Sequence, residues 1–387
     1  MTSIASLAAE LTSLEADGLR RRRRILESPQ RARVRVDGRE YVAFCSNDYL
    51  GLAAHPELVA AAQEGALLHG VGAGASHLIL GHTRAHQRLE EALVRFVRLP
   101  GALFFSTGYM ANLGLITALA GRGDAIYADK LNHASLNDAA LLSRAELKRY
   151  PHFDLAVLER LLQRSAAKVK LIVSDAVFSM DGDIAPVKDL LELAERYEAW
   201  LVLDDAHGFG VLGANGRGIL EHSGIRSPRI AYMATLGKAA GVYGAFVAGE
   251  PELIETLVQR ARTYIYTTAT PPLLAHALTK SIELIERGSA RRAHLFELIA
   301  TLKSALRGSC WQLMPSDTAI QPLLIGGSIE ALTLSEMLAE RGLLVPAIRP
   351  PTVPRGKARL RISLSSNHQT MDVEQLAGAL RSLPGPS

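Results

Sequence analysis

Residues 200–218 read WLVLDDAHGFGVLGANGRG, and residues 230–249 read IAYMATLGKAAGVYGAFVAG. The first segment opens with four apolar residues and continues with Asp204 and Asp205, which is typical of a buried parallel strand whose carboxyl end faces a site. The second segment places Lys238 in a Gly/Ala-rich turn between two further strand-like runs. Both segments therefore predict strands of an α/β sheet with polar side chains collected at the strand ends.

The polar side chains at these strand ends suit a cofactor that is a pyridine aldehyde. Lys238 offers an amine for a Schiff base, Asp204 offers an acid that keeps a ring nitrogen protonated, and His207 follows three residues later. Each residue has an ordinary interpretation, because an Asp pair often caps a helix or binds magnesium and a lone lysine is usually solvated. The combination, with a phosphate site earlier in the chain, predicts pyridoxal 5'-phosphate.

The predicted phosphate site lies in ALFFSTGYMANLGLITAL, residues 102–119, which reads as a strand, a turn and a helix. The first N–H groups of a helix are unpaired and its dipole favours negative charge, so Thr107, Gly108 and Tyr109 can form a phosphate cup. A simple N-cap made by Ser106 or Thr107 explains the same pattern.

The composition is that of an ordinary globular protein. The chain has 387 residues, 48% of them hydrophobic and 21% charged, with a formal net charge of +4, which allows two domains and suits small anionic ligands. Its two cysteines, Cys45 and Cys310, form no CxxC pair, so neither a disulfide framework nor a zinc site is expected. No apolar run reaches transmembrane length and the N-terminus carries acidic residues, so we expect a cytoplasmic protein that does not bind membranes.

The first 47 residues predict an arm made of a helix and a hairpin. Residues 1 to about 27 predict the helix, because apolar residues recur on one face at Ile4, Leu7, Leu11, Leu14 and Leu19. Residues 31–44, RARVRVDGREYVAF, alternate and contain a DG turn, which predicts the hairpin. The arginine run 20–24 would ordinarily be a solvated face. A nucleic-acid-binding role for it predicts salt-dependent affinity, but no recognition module accompanies the run, so no nucleic-acid partner is expected.

Two weak ligand motifs are excluded by their context. Residues 69–90, HGVGAGASHLILGHTRAHQRLE, contain a glycine pattern like a dinucleotide fingerprint, but the preceding segment is helical where that fingerprint requires a strand. His82 and His86 in this segment are interpreted as surface or packing residues, not ligands. MDGD at residues 180–183 lacks the remaining ligands of a calcium loop. No metal site is therefore expected.

The order of elements predicts the architecture. Strands alternate with helices from about 100 to 250, which predicts a mostly parallel sheet with helices on both faces and ligands at the carboxyl ends of the strands. From about 285 a helix, alternating strands and a final helix predict a smaller C-terminal α+β domain. The predicted divisions are an N-terminal arm at 1–47, a large cofactor-binding α/β domain at 48–285 and a small domain at 286–387.

Taken together, these segments resemble the α-oxoamine synthases, pyridoxal-phosphate-dependent transferases of fold type I that join an amino acid to an acyl-CoA. The resemblance covers about residues 15–375. It rests on the blocks above and on FCSNDYLGL (44–52), HTRAHQRLE (82–90), FSMDGD (178–183) and IRPPTVP (348–354). It implies the fold type I transferase fold with a smaller C-terminal α+β domain.

The resemblance also implies which residues contact the cofactor. Four are expected to be catalytic: Lys238 as the Schiff-base lysine and base, Asp204 at the ring nitrogen, His207 at the phenolic oxygen, and His133 stacked on the ring and assisting acyl transfer. The full cofactor set comprises Gly108, Tyr109, His133, Ser179, Asp204, His207, Thr235 and Lys238. Asp175 stands where related sequences often carry Glu, and no role is assigned to it.

Five positions are assigned to the substrates by the same resemblance: Arg21, Asn47, His133, Thr352 and Arg361. Arg21 and Thr352 are expected to contact the acyl chain, although neighbouring arginines could replace Arg21. Asn47 and Arg361 are expected to hold the amino-acid carboxylate, with Arg349 as the second choice for the arginine. Asn47 also has an ordinary interpretation as a turn residue.

The NDYLGL form favours the branch of the family that condenses L-alanine with pimeloyl-CoA, or with a pimeloyl carrier-protein thioester, and releases CO2 and CoA in biotin biosynthesis. The alternatives are the branch that uses glycine and acetyl-CoA, then the 5-aminolevulinate and serine palmitoyl synthases. The family pattern also implies a homodimer whose active site lies at the subunit interface, with Thr267 or Thr268 reaching the partner's cofactor phosphate.

Overall fold

The computed structural model describes residues 3–385 and divides into two compact units. The larger unit consists of residues 52–179 and 184–292, and the smaller unit consists of residues 1–51, 180–183 and 293–387. The predicted divisions lay at 47 and 285. The short segment 180–183 is counted with the smaller unit although both of its neighbours in the chain belong to the larger one.

The chain forms strands and helices in alternation. The strands are β1 (Arg33–Val36), β2 (Arg39–Ala43), β3 (Gly101–Phe105), β4 (Ala125–Asp129), β5 (Glu146–Tyr150), β6 (Lys170–Asp175), β7 (Trp200–Asp204), β8 (Ile230–Thr235), β9 (Ala245–Gly249), β10 (Ile320–Gly326), β11 (Leu343–Leu344), β12 (Ala347–Ile348) and β13 (Ala358–Ser363). The helices are α1 (Ile4–Ala16), α2 (Pro56–His69), α3 (Arg84–Val97), α4 (Gly108–Leu119), α5 (Ala134–Ser143), α6 (Leu155–Gln163), α7 (Val187–Arg196), α8 (Ile219–Ser223), α9 (Pro251–Arg260), α10 (Arg262–Ile265), α11 (Pro272–Glu286), α12 (Ser289–Leu306), α13 (Ser328–Glu340) and α14 (Thr370–Ser382). None of the helices described between residues 3 and 385 combines the length and the apolar content needed to cross a bilayer.

The larger unit is built on a seven-stranded sheet in the order β3-β9-β8-β7-β6-β4-β5. All neighbouring pairs are parallel except those that involve β9, which runs antiparallel to β3 and β8. The predicted mostly parallel sheet is therefore confirmed. Because all the strands except β9 run in one direction, the carboxyl ends of those strands lie along one edge of the sheet.

Helices cover both faces of this sheet. In β7, the consecutive residues Leu201, Val202 and Leu203 are each 0% exposed, and consecutive side chains of a strand point to opposite faces. On one face, Val202 and its neighbours form an apolar core with side chains of α4, α5 and α9. Burying each large aliphatic side chain stabilises the fold by about 1.5–3 kcal/mol, so the central strands are held in place from both sides.

The smaller unit contains two three-stranded sheets. β1 and β2 form the predicted hairpin around Asp37 (φ 47°) and Gly38 (φ 77°), and β11 adds to β2 in parallel. Positive φ at both turn residues is the geometry that an Asp-Gly pair favours. The second sheet has the order β10-β13-β12 and is antiparallel. It places Arg359 and Arg361 on the same side of β13, since they lie two residues apart.

The predicted N-terminal helix was too long. Residues 1 and 2 lie outside the described part of the chain, and α1 ends at Ala16, where the prediction continued to about residue 27. Asp17 caps the helix and Gly18 takes a positive φ of 64°. The arginine run that follows is extended away from helical geometry, because a helix would hold five like charges close together.

The glycine-rich segment after α2 is not a dinucleotide-binding loop. Gly70, with φ 75°, caps α2, and the next regular element is the short helical turn His77–Gly81 before α3. No strand precedes the glycines between residues 56 and 84. The helix predicted before the glycines is therefore confirmed.

The segment 180–183 is held firmly within the smaller unit. Arg359 donates to Asp181 Oδ1 at 2.8 Å and to the carbonyl of Met180 at 3.0 Å. Ser316 Oγ and Thr318 Oγ1 both donate to the carbonyl of Gly182, at 2.8 and 3.0 Å. Arg359 is only 4% exposed, so Asp181 compensates a buried cation.

We expect Asp181→Ala to lower the free energy of unfolding by about 3 kcal/mol, because it leaves the buried Arg359 guanidinium without its carboxylate. Urea denaturation measures the loss. Asp317→Ala is the matched control, since Asp317 pairs with Lys303 at 2.6 Å but is largely exposed. Asp317→Ala should lower the free energy of unfolding by less than about 1 kcal/mol. Equal losses in the two variants would contradict the account.

Candidate active site

The predicted cofactor residues collect at one edge of the large sheet. Gly108 follows β3, His133 follows β4, Ser179 follows β6, Asp204 ends β7 and Thr235 ends β8. These five strands run in the same direction, so their carboxyl ends share that edge. The topology alone brings residues from five separate parts of the chain to one place.

Lys238, His207 and Asp204 form the centre of this group. Lys238 Nζ lies 2.8 Å from His207 Nε2. Asp204 is 3% exposed, and its Oδ1 accepts the N–H of Ala206 at 3.0 Å while its Oδ2 accepts Asn112 Nδ2 at 2.7 Å. A buried carboxylate therefore lies on the same sheet edge as an amine and an imidazole.

His133 is the N-cap of α5 and is fixed by hydrogen bonds on two sides. Its backbone N–H donates to Asp175 Oδ2 at 2.6 Å, and its ring Nδ1 lies 2.7 Å from Ser135 Oγ and 3.2 Å from the backbone N of Ser135. The residue is partly open to solvent, yet the protein packed against its ring lowers its pKa by desolvation. Asp204 opposes that lowering and Lys238 adds to it.

The start of α4 is arranged to bind an anion. Thr107 caps the helix by accepting the N–H of Met110 on its side chain at 3.1 Å. Within residues 3–385, the backbone N–H groups of Gly108 and Tyr109 donate to no protein acceptor. A Cβ placed on Gly108 would lie 3.9 Å from Thr235 Cβ, so both residues face the same space. The N-cap and the phosphate cup are therefore compatible, because they use different N–H groups.

Three residues that support this group were not assigned by the sequence. Asn112 bridges Asp204 and Ser135, and Asp175 accepts the N–H of His133. Burial raises the pKa of Asp175 well above its usual value. An Asn in the middle of an apolar helix is the one signal that could have indicated a buried polar contact, because such residues need a partner.

The residues of the larger unit fit pyridoxal 5'-phosphate. They include an amine at Lys238, a buried carboxylate at Asp204, imidazoles at His133 and His207, and free helix N–H groups at the start of α4. These are the groups needed for a Schiff base, a protonated ring nitrogen, the ring faces and edges, and a phosphate. Ser179 is half-buried beyond the end of β6, on the same edge.

Arg361 and Asn47 meet within the smaller unit. Arg361 is buried and its Nη1 donates to Asn47 Oδ1 at 3.1 Å and to Ser363 Oγ at 2.8 Å, while its Nη2 lies 3.4 Å from the hydroxyl of Tyr49. Asn47 is therefore more than a turn residue, because its side chain orients the guanidinium. Arg349, the second choice, donates to the carbonyl of Gly18.

A second group in the smaller unit surrounds a cavity of about 280 Å³. Its lining consists of Leu19, Arg21, Arg22, Ala347, Ile348, Arg349, Pro350 and Thr352. Arg21 Nη2 lies 3.5 Å from Thr352 Oγ1, so the two residues predicted to contact the acyl chain lie side by side. Arg22 also lines the cavity but is held by Glu15 at 3.0 Å. The guanidinium groups of Arg21 and Arg349, which are not paired with a carboxylate within the described residues, make this cavity positive.

Thr267 and Thr268 are the two threonines of which one is expected to reach the partner's cofactor phosphate. Thr267 is half-buried and Thr268 is exposed, and neither is hydrogen-bonded to the cofactor residues within the described chain. Both cysteines are free.

Three histidines lie close together elsewhere in the larger unit. Nitrogen atoms of His77, His82 and His86 lie within 4.8 Å of one another. The ring of His86 is already used, because its Nδ1 accepts the N–H of Thr83 at 3.0 Å and its Nε2 lies 2.7 Å from the carbonyl of Thr270. The geometry is that of a buried, hydrogen-bonded histidine.

Comparison with known proteins identifies the family. Residues 39–380 match the family model described as aminotransferase class I and II. The chain is 67% identical to the 8-amino-7-oxononanoate synthase of Nitrosospira multiformis, over 94% of this chain and 92% of that protein. It is 62% identical to the enzyme of the same name from Methylobacillus flagellatus, over 98% and 96%. The chain belongs to the 8-amino-7-oxononanoate synthase family.

Solved structures support the same family and its fold. A serine palmitoyltransferase from Sphingomonas wittichii is 32% identical with a TM-score of 0.93, covering 98% of each chain. The 8-amino-7-oxononanoate synthase of Francisella tularensis is 32% identical with a TM-score of 0.77, covering 88% of this chain and 97% of that one. The expected fold type I transferase is therefore confirmed, and the protein is a pyridoxal-phosphate-dependent acyltransferase.

Asp205, beside Asp204, has a different task in this family member. It is fully buried and its Oδ2 accepts the hydroxyl of Tyr232 at 2.8 Å and the N–H of Ile219 at 2.7 Å. Burial raises its pKa to about 7, and Asp204 adds to the rise while the hydrogen bonds oppose it. Asp205 therefore fixes the loop after β7 and lies apart from the reacting groups.

The raised pKa of Asp205 makes stability depend on pH. The folded protein keeps this proton up to about pH 7, whereas the unfolded chain loses it near 3.8, so the free energy of unfolding falls as pH rises between those values. The full effect is about 4 kcal/mol. Between pH 5 and pH 8, the free energy of unfolding of Asp205→Asn should fall by less than that of the parent protein. Urea denaturation at each pH measures both. Asp189→Asn, at an exposed position, is the control, and an unchanged decline in Asp205→Asn would refute the assignment.

Proposed function

We propose that the protein condenses L-alanine with pimeloyl-CoA, or with a pimeloyl carrier-protein thioester, to give 8-amino-7-oxononanoate for biotin biosynthesis. A C–C bond forms between the alanine Cα and the acyl carbon, and the thiol and CO2 leave. The observation that carries the proposal is the meeting of Lys238, His207 and buried Asp204 at one sheet edge, in a chain 67% identical to an 8-amino-7-oxononanoate synthase.

When bound, pyridoxal 5'-phosphate supplies an aldehyde that takes up the substrate amine and a ring that accepts the electron pair left at Cα. Asp204 would hold the proton on the ring nitrogen by a charge-assisted hydrogen bond. Lys238 Nζ would remove and later return the proton at the alanine Cα, and His207 Nε2, 2.8 Å away, would orient that amine. Gly108, Tyr109 and Thr235 would hold the phosphate, and Ser179 and His207 would orient the phenolic oxygen.

Arg361 is proposed to bind the carboxylate of L-alanine. A planar guanidinium donates two parallel hydrogen bonds to a carboxylate, and its position is fixed in advance by Asn47 and Ser363. Holding the carboxylate this way orients the bonds at Cα, so that the proton and later CO2 leave in a defined direction.

The acyl chain is proposed to end in the positive cavity. Arg21, Arg22 and Arg349 line it together with the hydroxyl of Thr352, which suits an acyl chain that carries a terminal carboxylate. Arg22 is paired with Glu15, but acetyl and palmitoyl chains would leave Arg21 and Arg349 without a counter-charge. The cavity therefore favours pimeloyl over the alternatives that use glycine and acetyl-CoA or serine and palmitoyl-CoA. His133 is proposed to donate a hydrogen bond to the thioester oxygen, where negative charge develops.

The active unit is proposed to be a homodimer. Apolar side chains around the end of α2 and the turn His77–Gly81 face outward, among them Ile79 at 80% and Leu80 at 82% exposure, together with Leu67 and Val71. Exposed apolar side chains in such number mark a protein-binding surface. A second copy of this chain is the partner that the family pattern favours, with Thr267 or Thr268 reaching the partner's phosphate site.

A substrate panel tests the reaction directly. Purified protein with the cofactor is supplied with L-alanine, glycine or L-serine and with pimeloyl, acetyl or palmitoyl thioesters, and CO2 and product mass are measured. L-alanine with the pimeloyl thioester should exceed every other pair in kcat/KM by at least about tenfold. Faster turnover of glycine with acetyl-CoA would replace this proposal by the ligase alternative.

We expect Lys238→Ala to abolish product formation, by on the order of 10³-fold or more, because the variant lacks both the Schiff-base amine and the base. Borohydride reduction followed by mass spectrometry should fix the cofactor to the parent protein and not to the variant. Lys188→Ala, at an exposed position of α7, should behave as the parent does. A fixed cofactor in Lys238→Ala would exclude this lysine.

We expect Arg361→Lys to raise KM for L-alanine by about 10–100-fold, because lysine cannot donate two parallel hydrogen bonds. KM for the pimeloyl thioester should change little, since that chain is assigned to the cavity around Arg21. Arg341→Lys, on the exposed surface of the same unit, is the control. Steady-state kinetics with each substrate varied in turn measures both constants, and a rise confined to the thioester KM would contradict the assignment.

A further inference from the structure

A continuous chain of hydrogen bonds runs from Asp204 to His133. Asn112 Nδ2 lies 2.7 Å from Asp204 Oδ2 and 2.9 Å from Ser135 Oγ, and Ser135 Oγ lies 2.7 Å from His133 Nδ1. Asn112 is 0% exposed and Ser135 is 1% exposed. The two intermediate residues belong to α4 and α5, and neither is among the residues assigned to substrate or cofactor above.

The direction of this chain is fixed by chemistry. A carboxylate only accepts hydrogen bonds, so the amide group of Asn112 turns its N–H donors toward Asp204, and its second N–H donates to Ser135. The hydroxyl of Ser135 therefore keeps its own single proton for His133 Nδ1. The backbone N–H of Ser135 also points at Nδ1, at 3.2 Å. Nδ1 thus accepts from two donors, and the proton of the neutral ring lies on Nε2.

We propose that Asn112 and Ser135 are positioning residues that fix His133 as the neutral tautomer with its proton on Nε2. The buried carboxylate of Asp204 is the fixed end of the chain, and His133 Nε2–H is the free end. The assignment of the tautomer follows from these four side chains and the backbone N–H of Ser135. Its use at the thioester oxygen rests on the proposed function.

The tautomer decides what His133 can do. With the proton on Nε2, the exposed end of the ring is a hydrogen-bond donor that can meet the developing negative charge of an acyl oxygen. With the proton on Nδ1, the same end would present a lone pair and would repel that oxygen. A donor fixed before the substrate arrives costs no reorganisation during the reaction, which is why a buried polar chain is an effective support.

The charged groups around His133 do not impose this tautomer by themselves. Asp204 and Asp138 favour the protonated ring, Lys238 disfavours it, and Asp175 bonds only to the backbone N–H of His133. Those charges act on the ring as a whole. The hydroxyl and the backbone N–H of Ser135 instead contact Nδ1 only, and so distinguish one ring nitrogen from the other.

Ring ¹⁵N NMR of histidine-labelled protein tests the tautomer, with and without the cofactor. The resonances of His133 are identified by their absence in His133→Asn. In the parent protein, Nδ1 should have the shift of an unprotonated nitrogen and Nε2 that of a protonated one. In Ser135→Ala only the backbone N–H at 3.2 Å remains as a donor to Nδ1, so the Nδ1-protonated tautomer should become detectable beside the Nε2-protonated one. Ser135→Thr, which keeps the hydroxyl, should restore the parent spectrum. Nδ1 protonated in the parent protein would overturn the proposal.

Kinetics tests the consequence. Ser135→Ala should lower kcat/KM for the pimeloyl thioester about 3–10-fold, the value of one hydrogen bond, with KM for L-alanine unchanged. Asn112→Leu should also lower kcat/KM for the pimeloyl thioester. The double variant Asn112→Leu/Ser135→Ala should have the same kcat/KM as Asn112→Leu alone, because both residues act through one proton. Ser143→Ala removes a buried hydroxyl from the same helix and serves as the control.

The two readouts separate failure of this inference from failure of the proposed function. If the protein does not use a pimeloyl thioester, the ring ¹⁵N shifts still report the tautomer, since they need no acyl substrate. Additive losses in the double variant, with one tautomer retained in Ser135→Ala, would show that the two residues support the fold only. Such a result would reject the positioning role.

Discussion

The buried carboxylate of Asp204 is the constraint on which the rest of the site depends. Removing a charge from water is costly unless donors surround it. Here the backbone N–H of Ala206 and the amide of Asn112 supply two donors, and under the proposed function the cationic ring of the cofactor would supply a third. The central position of β7 in the seven-stranded sheet fixes the carboxylate, because strands on both sides and helices on both faces prevent it from moving.

The remaining groups are arranged relative to that carboxylate. The parallel strands bring Lys238 and His207 to the same edge, and the polar chain through Asn112 and Ser135 connects the acid to His133. One helix start faces Thr235 and leaves N–H groups for an anion. An α/β sheet can gather these residues from distant parts of the sequence because it places every strand end at one edge.

The sequence was most informative where a local pattern has a direct spatial meaning. An apolar run followed by polar residues marks a strand end, so Asp204, His207 and Lys238 could be predicted to lie at one sheet edge before any contact was known. Asn112 and Ser135 could not, since each lies within an ordinary helical pattern and its partner is distant in the chain. The length of α1 was also mispredicted, because leucine spacing continued to suggest a helix after Gly18 had ended it.

In the smaller unit, the proposed substrate-binding arginine is held by contacts that could not be predicted from the sequence. Asn47 and Arg361 are 314 residues apart, yet one hydrogen bond orients the guanidinium. Asp181 stabilises buried Arg359, two residues before Arg361 on β13, and thereby stabilises the strand that carries it. Family resemblance pointed to Arg361 by position, but only the structure explains why that side chain is held still.

A crystal structure of the protein with pyridoxal 5'-phosphate bound tests the central claim most directly. The account predicts a covalent bond from Lys238 Nζ to the cofactor, with an oxygen of Asp204 about 2.8 Å from the ring nitrogen. A cofactor bound elsewhere, or a ring nitrogen that faces away from Asp204, would contradict it.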